Sequence, residues 1–271
     1  MENTKATIWL AISNHKGGPG KTTTVVNLAA EFAALGLGVL VVDLDPQANA
    51  SMHIGKKHPS EIPVTCVQVL LSDVEKLPMA IHEDTNIKGV SLIYGHLDLG
   101  KAEDDLKDSS PRPMEELKAK LGALEGLYDV VLIDCPPSLK LLTSNALALA
   151  THYIIPIESG SQYGMYGVTD LLRHVDKIRR VNPDLELLGA LLTKHDERQT
   201  VCKLIEGAAR EQFKKVLPVK ISTSTKVNQS SMMKLSITAL DRSSKVAREY
   251  KKLARHLATI LSLAVPQEVE E

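Results

Sequence analysis

A glycine-rich stretch with two lysines and two threonines, Ser13 to Thr23, carries the strongest chemical signal in this 271-residue sequence. The apolar run at 6–12 predicts a buried strand, and apolar residues at helical spacing follow at 24–35. A glycine-rich turn between a strand and a helix aims backbone N–H groups inward, which favours phosphate binding. The predicted phosphate-binding residues are Lys16, Gly17, Gly18, Pro19, Gly20, Lys21, Thr22 and Thr23.

Individual side chains in this stretch have further consequences. Lys21 is placed to reach the terminal phosphates of a nucleotide, and the Thr22 hydroxyl is placed to bind Mg²⁺. Lys16 lies at the outer edge of the loop, where its charge would offset negative charge that develops during phosphoryl transfer. Pro19 has no N–H group, so we expect a slightly altered phosphate cradle.

Acidic residues end two further apolar runs that predict buried, parallel strands. The run at 38–42 leads to Asp43 and Asp45, and the run at 130–133 leads to Asp134. Ligands of open α/β sheets bind at the carboxyl ends of the strands, so these carboxylates should lie near the phosphates. Asp134 is typical of a residue that holds Mg²⁺ through its water shell. The structural alternative is that Asp45 or Asp134 only caps a turn or helix, with a helix starting just after Asp45.

Three motifs, in this order, resemble the ParA/MinD group of P-loop ATPases. They are Lys-Gly-Gly-Pro-Gly-Lys-Thr-Thr at 16–23, Asp-Leu-Asp-Pro-Gln at 43–47 and Asp-Cys-Pro-Pro-Ser at 134–138. The resemblance covers 6–261 and implies an α/β fold, in which helices flank a mostly parallel, twisted sheet. We expect a single domain over 1–271, with a core at 5–264 and an acidic tail at 265–271.

The resemblance implies an ATPase that uses Mg²⁺ and dimerises on ATP. In this family the early lysine, which Lys16 matches, crosses the dimer interface to the partner's nucleotide. Asp45 matches the aspartate that activates the attacking water, so the implied catalytic residues are Lys16, Lys21 and Asp45. The implied residues around Mg²⁺ are Thr22, Asp43 and Asp134.

The sequence defines the nucleotide-base contacts less well. Thr193 and Asp196 follow a predicted strand at 187–193, whose edge meets adenine in the family. The block at 221–230 matches another family segment in spacing, but most of its residue identities differ. We therefore expect Thr193 and Asp196 in the base pocket and assign no base contact to the block at 221–230.

Positive charge is concentrated in the C-terminal third of a chain whose net charge is −1. Residues 198–256 hold 14 Lys and Arg against 4 Asp and Glu. Such a region favours a polyanion, although solvated helix faces explain the same composition equally simply. Arg198 and Lys226 match DNA-binding arginines of the family, and Lys245 and Arg248 add charge on the last predicted helix. Such contacts would be independent of DNA sequence.

The resemblance also implies partners and a place in the cell. We expect an ATP-dependent homodimer, nonspecific DNA, and a ParB-like centromere-binding protein that stimulates hydrolysis. The function would be plasmid or chromosome partition, in the cytoplasm and on the nucleoid. Three other functions stay open at this point: a MinD-like membrane-positioning ATPase, a dethiobiotin synthetase-like ligase and a nitrogenase-reductase-like redox protein.

Two observations weigh against these alternatives. The acidic, proline-containing end at 265–271 should be repelled by anionic lipid, so we expect no membrane partner. Three widely separated cysteines suit a reducing compartment and lack the spacing of cluster ligands.

The remaining segments give simpler expectations. Strands are predicted at 90–94 and 153–157. Helices are predicted at 64–77 with a turn at Pro78, at 114–127 and at 243–263.

Overall fold

The chain builds one seven-stranded sheet in the computed structural model, which describes residues 6–72 and 74–265. The strands are β1 (Ile8–Ile12), β2 (Val39–Asp43), β3 (Ile81–His82), β4 (Val90–Ile93), β5 (Val130–Asp134), β6 (His152–Glu158) and β7 (Glu186–Thr193). They lie in the order β3-β4-β2-β5-β1-β6-β7, and only the β3–β4 pair is antiparallel among them. The predicted mostly parallel α/β fold is confirmed.

Helices cover both faces of the sheet. They are α1 (Lys21–Ala34), α2 (Asn49–Ile54), α3 (Cys66–Leu71), α4 (Leu77–Ala80), α5 (Leu99–Ser109), α6 (Glu116–Leu121), α7 (Leu141–Leu149), α8 (Val168–Ile178), α9 (Thr200–Gln212), α10 (Lys226–Met232), α11 (Ile237–Leu240) and α12 (Lys245–Ile260). Helices α1, α2, α11 and α12 pack on one face, and α3 and α5 to α9 pack on the other.

The central strand β1 shows why the sequence forms this layered core. Trp9 and Ala11 belong to the hydrophobic cluster on one face, and Leu10 and Ile12 belong to the cluster on the other. A strand that is covered on both faces needs apolar residues at successive positions, which is the continuous run seen in the sequence.

Register brings the loops after three strands to one edge of the sheet. Strand β5 lies between β1 and β2, where Asp134 is paired with Ile12 on one side and with Asp43 on the other. The glycine-rich loop after Ile12 and the two acidic strand ends therefore meet at the carboxyl edge, as predicted.

The helix predicted at 64–77 is wrong in extent. Helix α3 ends at Leu71, and its start is fixed by a capping box between Thr65 and Gln68. Pro78 does not mark a turn, because it lies in the first turn of α4, where a missing N–H leaves no helical hydrogen bond unmade.

Other predicted helices are shorter than expected or begin later. The helix predicted at 114–127 is reduced to α6 and a 3₁₀ turn, Gly122–Leu124. The last helix spans α12, capped by the Ser244 side chain, which accepts from the Ala247 N–H. No helix starts directly after Asp45, since α2 begins at Asn49.

Parts of the chain ends are not described. The expected tail at 265–271 lies outside the described residues, except for Val265. Within residues 6–72 and 74–265, no helix has both the length and the apolar character needed to cross a membrane.

Candidate nucleotide-binding site

The loop between β1 and α1 has the backbone shape of a phosphate cradle. Gly18 and Gly20 have φ of 86° and 88°, a left-handed conformation that side chains with a Cβ rarely adopt. Gly20 is the N-cap of α1, so the helix N-terminus opens directly onto the loop. Asn14 fixes the start of the loop, because its Oδ1 accepts from the Lys16 N–H and its Nδ2 donates to the Pro156 carbonyl.

Lys21 lies inside this cradle. Its side chain is buried, and Nζ donates to the Lys16 carbonyl oxygen at 2.9 Å, so the ammonium is folded back over the loop. Burial lowers the pKa of Lys21, while the Asp134 carboxylate acts in the opposite direction. A phosphate in the cradle would favour the charged lysine and satisfy its donors.

Thr22 and Asp134 form the part of the site that fits a divalent cation. Thr22 Oγ1 donates to Asp134 Oδ2 at 2.7 Å, whereas the buried Asp134 Oδ1 has no hydrogen-bond partner. Burial, and next the Asp43 carboxylate, raise the pKa of Asp134. A hard cation such as Mg²⁺ prefers oxygen ligands and would stabilise this carboxylate. In the described chain no cluster of three or more His, Cys, Asp or Glu could hold a metal by itself, so such a cation would depend on phosphate oxygens as well.

Asp43 is the second buried carboxylate at this edge, but its oxygens point to the protein. Oδ2 accepts from the Ser51 N–H at 2.8 Å and from the Ser51 hydroxyl at 2.7 Å, and Oδ1 accepts from the Asp45 N–H at 3.1 Å. These contacts tie α2 to the end of β2. Burial raises the pKa of Asp43 to about 6.

This raised pKa predicts a pH dependence of stability. Asp43 loses its proton near pH 3.8 when solvated and near pH 6 when folded, so between these values the folded state holds more protons. The contribution of Asp43 to the free energy of unfolding therefore falls as pH rises from about 4 to about 6. Urea unfolding of the nucleotide-free protein without Mg²⁺ measures this fall together with the opposite contributions of carboxylates whose pKa is lowered, such as Glu158. In Asp43→Asn it should be smaller, and an unchanged pH profile in that variant would contradict the assignment.

Asp45 sits at the start of a tight turn beside the cradle. It is 6% exposed, its Oδ1 accepts from the Gln47 N–H at 3.0 Å, and its carbonyl accepts from the Ala48 N–H at 2.8 Å. Asp45 therefore does cap a turn. This cap uses only Oδ1, so a capping role and a contact of Oδ2 with water are compatible.

Lys16 is held at the rim by residues that the sequence did not single out. Its Nζ lies 3.1 Å from Glu158 Oε2 and 3.3 Å from Ser161 Oγ. The other oxygen of Glu158 accepts from Lys194 Nζ at 3.0 Å. Burial alone would raise the pKa of Glu158, but the two lysines hold it below its usual range. Glu158 is thus a charged anchor shared by both lysines.

Thr193 supports the loop from behind. Its hydroxyl lies 2.7 Å from the Pro19 carbonyl oxygen and 3.1 Å from the Ile157 carbonyl oxygen. Pro19 lacks a donor for phosphate, but its carbonyl is the point at which β7 holds the loop. The sequence placed Thr193 near the base and gave no sign of this contact.

Substitution of Thr193 by valine tests this support. Valine keeps the shape but removes the one hydroxyl proton that the Pro19 and Ile157 carbonyls share, which should cost about 1–3 kcal/mol of stability. Chemical denaturation measures this loss, and equilibrium binding should show weaker affinity for nucleotide. Unchanged values for both would contradict a supporting role for the hydroxyl.

A cleft of about 230 Å³ beside the loop, here called the base cleft, is the candidate site for the nucleotide base. Gly20, Thr23 and Thr193 line one side, and residues 221–224 with Val227 and Asn228 line the other. Asp196 does not line it. Instead, the Arg198 guanidinium beside Asp196 holds the pKa of that carboxyl far below its usual range. The block at 221–230, to which the sequence assigned no base contact, forms most of the opposite wall.

Three of the four residues predicted to bind DNA lie around the turn at 241–244. Lys226 Nζ is 3.6 Å from Asp241, Arg248 Nη1 donates to the Ser243 carbonyl at 2.6 Å, and Lys245 is 3.7 Å from Glu249. Arg198 stands apart on the loop after β7, where its Nη2 lies 2.8 Å from Asp196 Oδ2. Arg198, Lys226 and Lys245 each contact a carboxylate, and a DNA phosphate would have to compete with that carboxylate.

Comparison with known proteins identifies relatives over almost the full length. The AAA domain family matches residues 7–187. The chromosome partitioning protein ParA of Myxococcus xanthus is 36% identical over 250 residues, which is 92% of this chain and 87% of the relative. The sporulation initiation inhibitor protein Soj of Bacillus subtilis is 34% identical over 251 residues, with 92% and 97% covered.

A solved structure agrees in fold and in length. It is named cobyrinic acid a,c-diamide synthase from Mycobacterium smegmatis, with bound ATP analog and magnesium. Its sequence is 35% identical, the TM-score is 0.82, and 94% of this chain and 96% of that chain are covered. The motifs, the sheet and these relatives agree, and the chain belongs to the ParA family of P-loop ATPases.

Proposed function

We propose that this protein is a partition ATPase that binds ATP with Mg²⁺, dimerises, binds DNA without sequence preference and releases both on hydrolysis. A ParB-like centromere-binding protein would stimulate hydrolysis and carry the plasmid or chromosome as cargo. The observation that carries the proposal is the P-loop with two lysines, in a chain of which the chromosome partitioning protein ParA of Myxococcus xanthus matches 92%. Nucleoid association would follow from DNA binding.

Each residue around the cradle has a separate task in this mechanism. The backbone of the loop and Lys21 bind the phosphates, and Thr22 with Asp134 would hold Mg²⁺. When bound, Mg²⁺ would neutralise part of the charge on the phosphates. Asp45 stands on a fixed turn, so its carboxylate can orient a water and accept its proton. Asp43 keeps α2 in place through Ser51 and so supports this geometry from behind.

Dimerisation would change the partner of Lys16. In one chain Lys16 is held by Glu158, and Ser161 follows at the same rim. Two tyrosines near this rim are exposed, Tyr163 by 61% and Tyr166 by 74%. Exposed tyrosines are enriched in protein interfaces, so this rim suits the contact through which Lys16 reaches the partner's phosphates.

DNA binding would use the basic side chains that surround the turn at 241–244. In a dimer two such faces act together, and the second contact gains from effective concentration. Binding then depends on ATP because ATP sets the fraction of dimer. It also depends on salt, because phosphate contacts release counterions.

Lys226→Ala tests this surface. Loss of one phosphate contact should weaken DNA binding in the ATP state and lower the slope of log affinity against log salt by about 1. Fluorescence anisotropy with a random duplex at several salt concentrations measures both. Lys118→Ala, which removes an exposed lysine of α6, is the control and should leave both unchanged. An equal effect of the two substitutions would show that the contact is not local.

One alternative keeps support from a specific observation. The name of the 35% identical solved structure is that of an amide-forming synthase, which favours an ATP-dependent ligase of the kind considered from the sequence. The two functions differ in DNA binding. A wild-type protein that binds DNA in no nucleotide state would favour the ligase, whereas ATP-dependent binding would favour the partition ATPase.

The other two alternatives have less support. A redox protein with a shared cluster needs accessible cysteines, and Cys66, Cys135 and Cys202 are all buried. A membrane-positioning role rests on the chain end at 266–271, which lies outside the described residues. Vesicle co-sedimentation with ATP and no DNA tests that role directly.

A further inference from the structure

Helix α2 is tied firmly to the loop that holds Asp45. Ser51 of α2 donates twice to Asp43, and its hydroxyl also accepts from the Gly95 N–H at 2.8 Å. The Ala48 N–H at the start of α2 donates to the Asp45 carbonyl. Because Asp43 is bonded to Ser51 and the Asp45 carbonyl to Ala48 at the N-cap of α2, a shift of the Asp45 loop should displace α2 as well.

One buried histidine connects α2 to the segment that follows α10. His53 is 6% exposed, and its Nε2 lies 2.8 Å from the carbonyl oxygen of Leu235. A carbonyl can only accept, so the proton of the ring is on Nε2. Burial lowers the pKa of His53, which agrees with a neutral ring that donates one hydrogen bond.

The hydrogen bond between His53 and Leu235 can move helix α10, which ends three residues before Leu235. Ser230 is its one buried residue, so α10 is held by few apolar contacts, which permits local shifts. Lys226 lies at its first position, and Val227 and Asn228 form part of the base cleft. Leu235 follows the end of α10 by three residues, after Lys234, which has a φ of 54°.

We propose that His53 is a positioning residue that transmits the presence of the γ-phosphate from the Asp45 loop to α10. The inference rests on the proposed ATP-driven function and names the element that regulates it. ATP and ADP share the base and two phosphates, so a contact of Val227 or Asn228 with the base would be common to both. In the proposed mechanism Asp45 orients the water that attacks the γ-phosphate, so the route through Asp45, α2 and His53 begins where the two nucleotides differ.

A second connection reaches the segment after α10, through helix α11, and supplies a matched control. Helix α11 is bonded to α1 through Asn27 Oδ1, which accepts from the Ile237 N–H, and through Thr238, which donates to Glu31. These bonds join α1 at Asn27 and Glu31, which do not belong to the phosphate cradle, and they bypass Asp45, α2 and His53. Thr238→Val should therefore loosen α10 and α11 equally in both nucleotide states.

Hydrogen exchange of the amides at 226–233 tests the proposal without DNA. With a slowly hydrolysed ATP analogue, wild-type exchange should differ from that with ADP by about fivefold or more, the usual range of coupling between sites. His53→Leu should abolish this difference and leave the difference at the Asp45 loop intact. His53→Gln, whose amide can donate to Leu235, should retain it, and Thr238→Val should retain the ratio.

Three results would overturn the proposal: no ATP–ADP difference at α10 in the wild type, a wild-type ratio in His53→Leu, or equal loss in His53→Gln and His53→Leu. Nucleotide affinity is measured for each variant as evidence of folding. If His53→Leu does not fold, His53→Asn takes its place, because its shorter amide does not reach Leu235. Absence of DNA binding would defeat the proposed function but would leave this exchange result standing.

Discussion

Asp45→Asn should lower the rate of ATP hydrolysis by about 100-fold or more, the effect usual for removal of a general base. Asparagine cannot accept the proton of the attacking water, although it can still occupy the same space. Nucleotide affinity should change little, because the phosphates are bound by the loop and Lys21. Phosphate release under saturating ATP and equilibrium binding of a labelled nucleotide measure the two effects separately.

The turn at Asp45 provides the control. In Asp45→Asn the side-chain oxygen can still accept from the Gln47 N–H, whereas Asp45→Ala removes that bond too. Both variants should lose hydrolysis, and only the alanine variant should also lose thermal stability. Full hydrolysis in Asp45→Asn would remove Asp45 from the chemical step and leave it as a capping residue.

Lys16→Ala should abolish the ATP-dependent dimer. The charge that reaches the partner's phosphates is lost, and the two bound nucleotides then repel each other across the interface without compensation. Light scattering with a slowly hydrolysed analogue should give twice the 29.5 kDa of one chain for the wild type and a single chain for the variant. DNA binding in the ATP state should be lost with the dimer.

Lys194→Ala separates this role from a local ion-pair effect. Lys16 and Lys194 both contact Glu158, but Lys194 is on the loop after β7 and not on the phosphate loop. Loss of the Glu158 contact alone should leave the dimer intact in Lys194→Ala. A dimer that persists in Lys16→Ala, or disappears in both variants, would contradict a special role for Lys16.

The sequence predicted the sheet and the phosphate loop because both depend on local pattern. Strands covered on both faces must be apolar throughout, and the glycines at positions 18 and 20 are needed for a left-handed backbone. Helix ends were harder to predict. The capping pair Thr65 and Gln68 was present in the sequence, but Pro78 was interpreted as a turn rather than as part of the first turn of a new helix.

Contacts between distant parts of the chain could not be predicted in this way. Thr193 holds the carbonyl of Pro19 across 174 positions, and Glu158 holds Lys16 across 142. Nothing in either local sequence indicates its partner, because the pairing is set by the order of β1, β6 and β7 in the sheet. The same holds for His53, which meets Leu235 only because α2 and the segment after α10 pack at the same edge.

The central claim is that ATP, and not ADP, places this protein on DNA. The most direct measurement is the affinity of the wild-type protein for a random duplex at fixed salt, with ADP and with a slowly hydrolysed ATP analogue. We expect at least tenfold tighter binding with the analogue, about 1.4 kcal/mol or more. Equal affinity in the two nucleotide states would contradict the account.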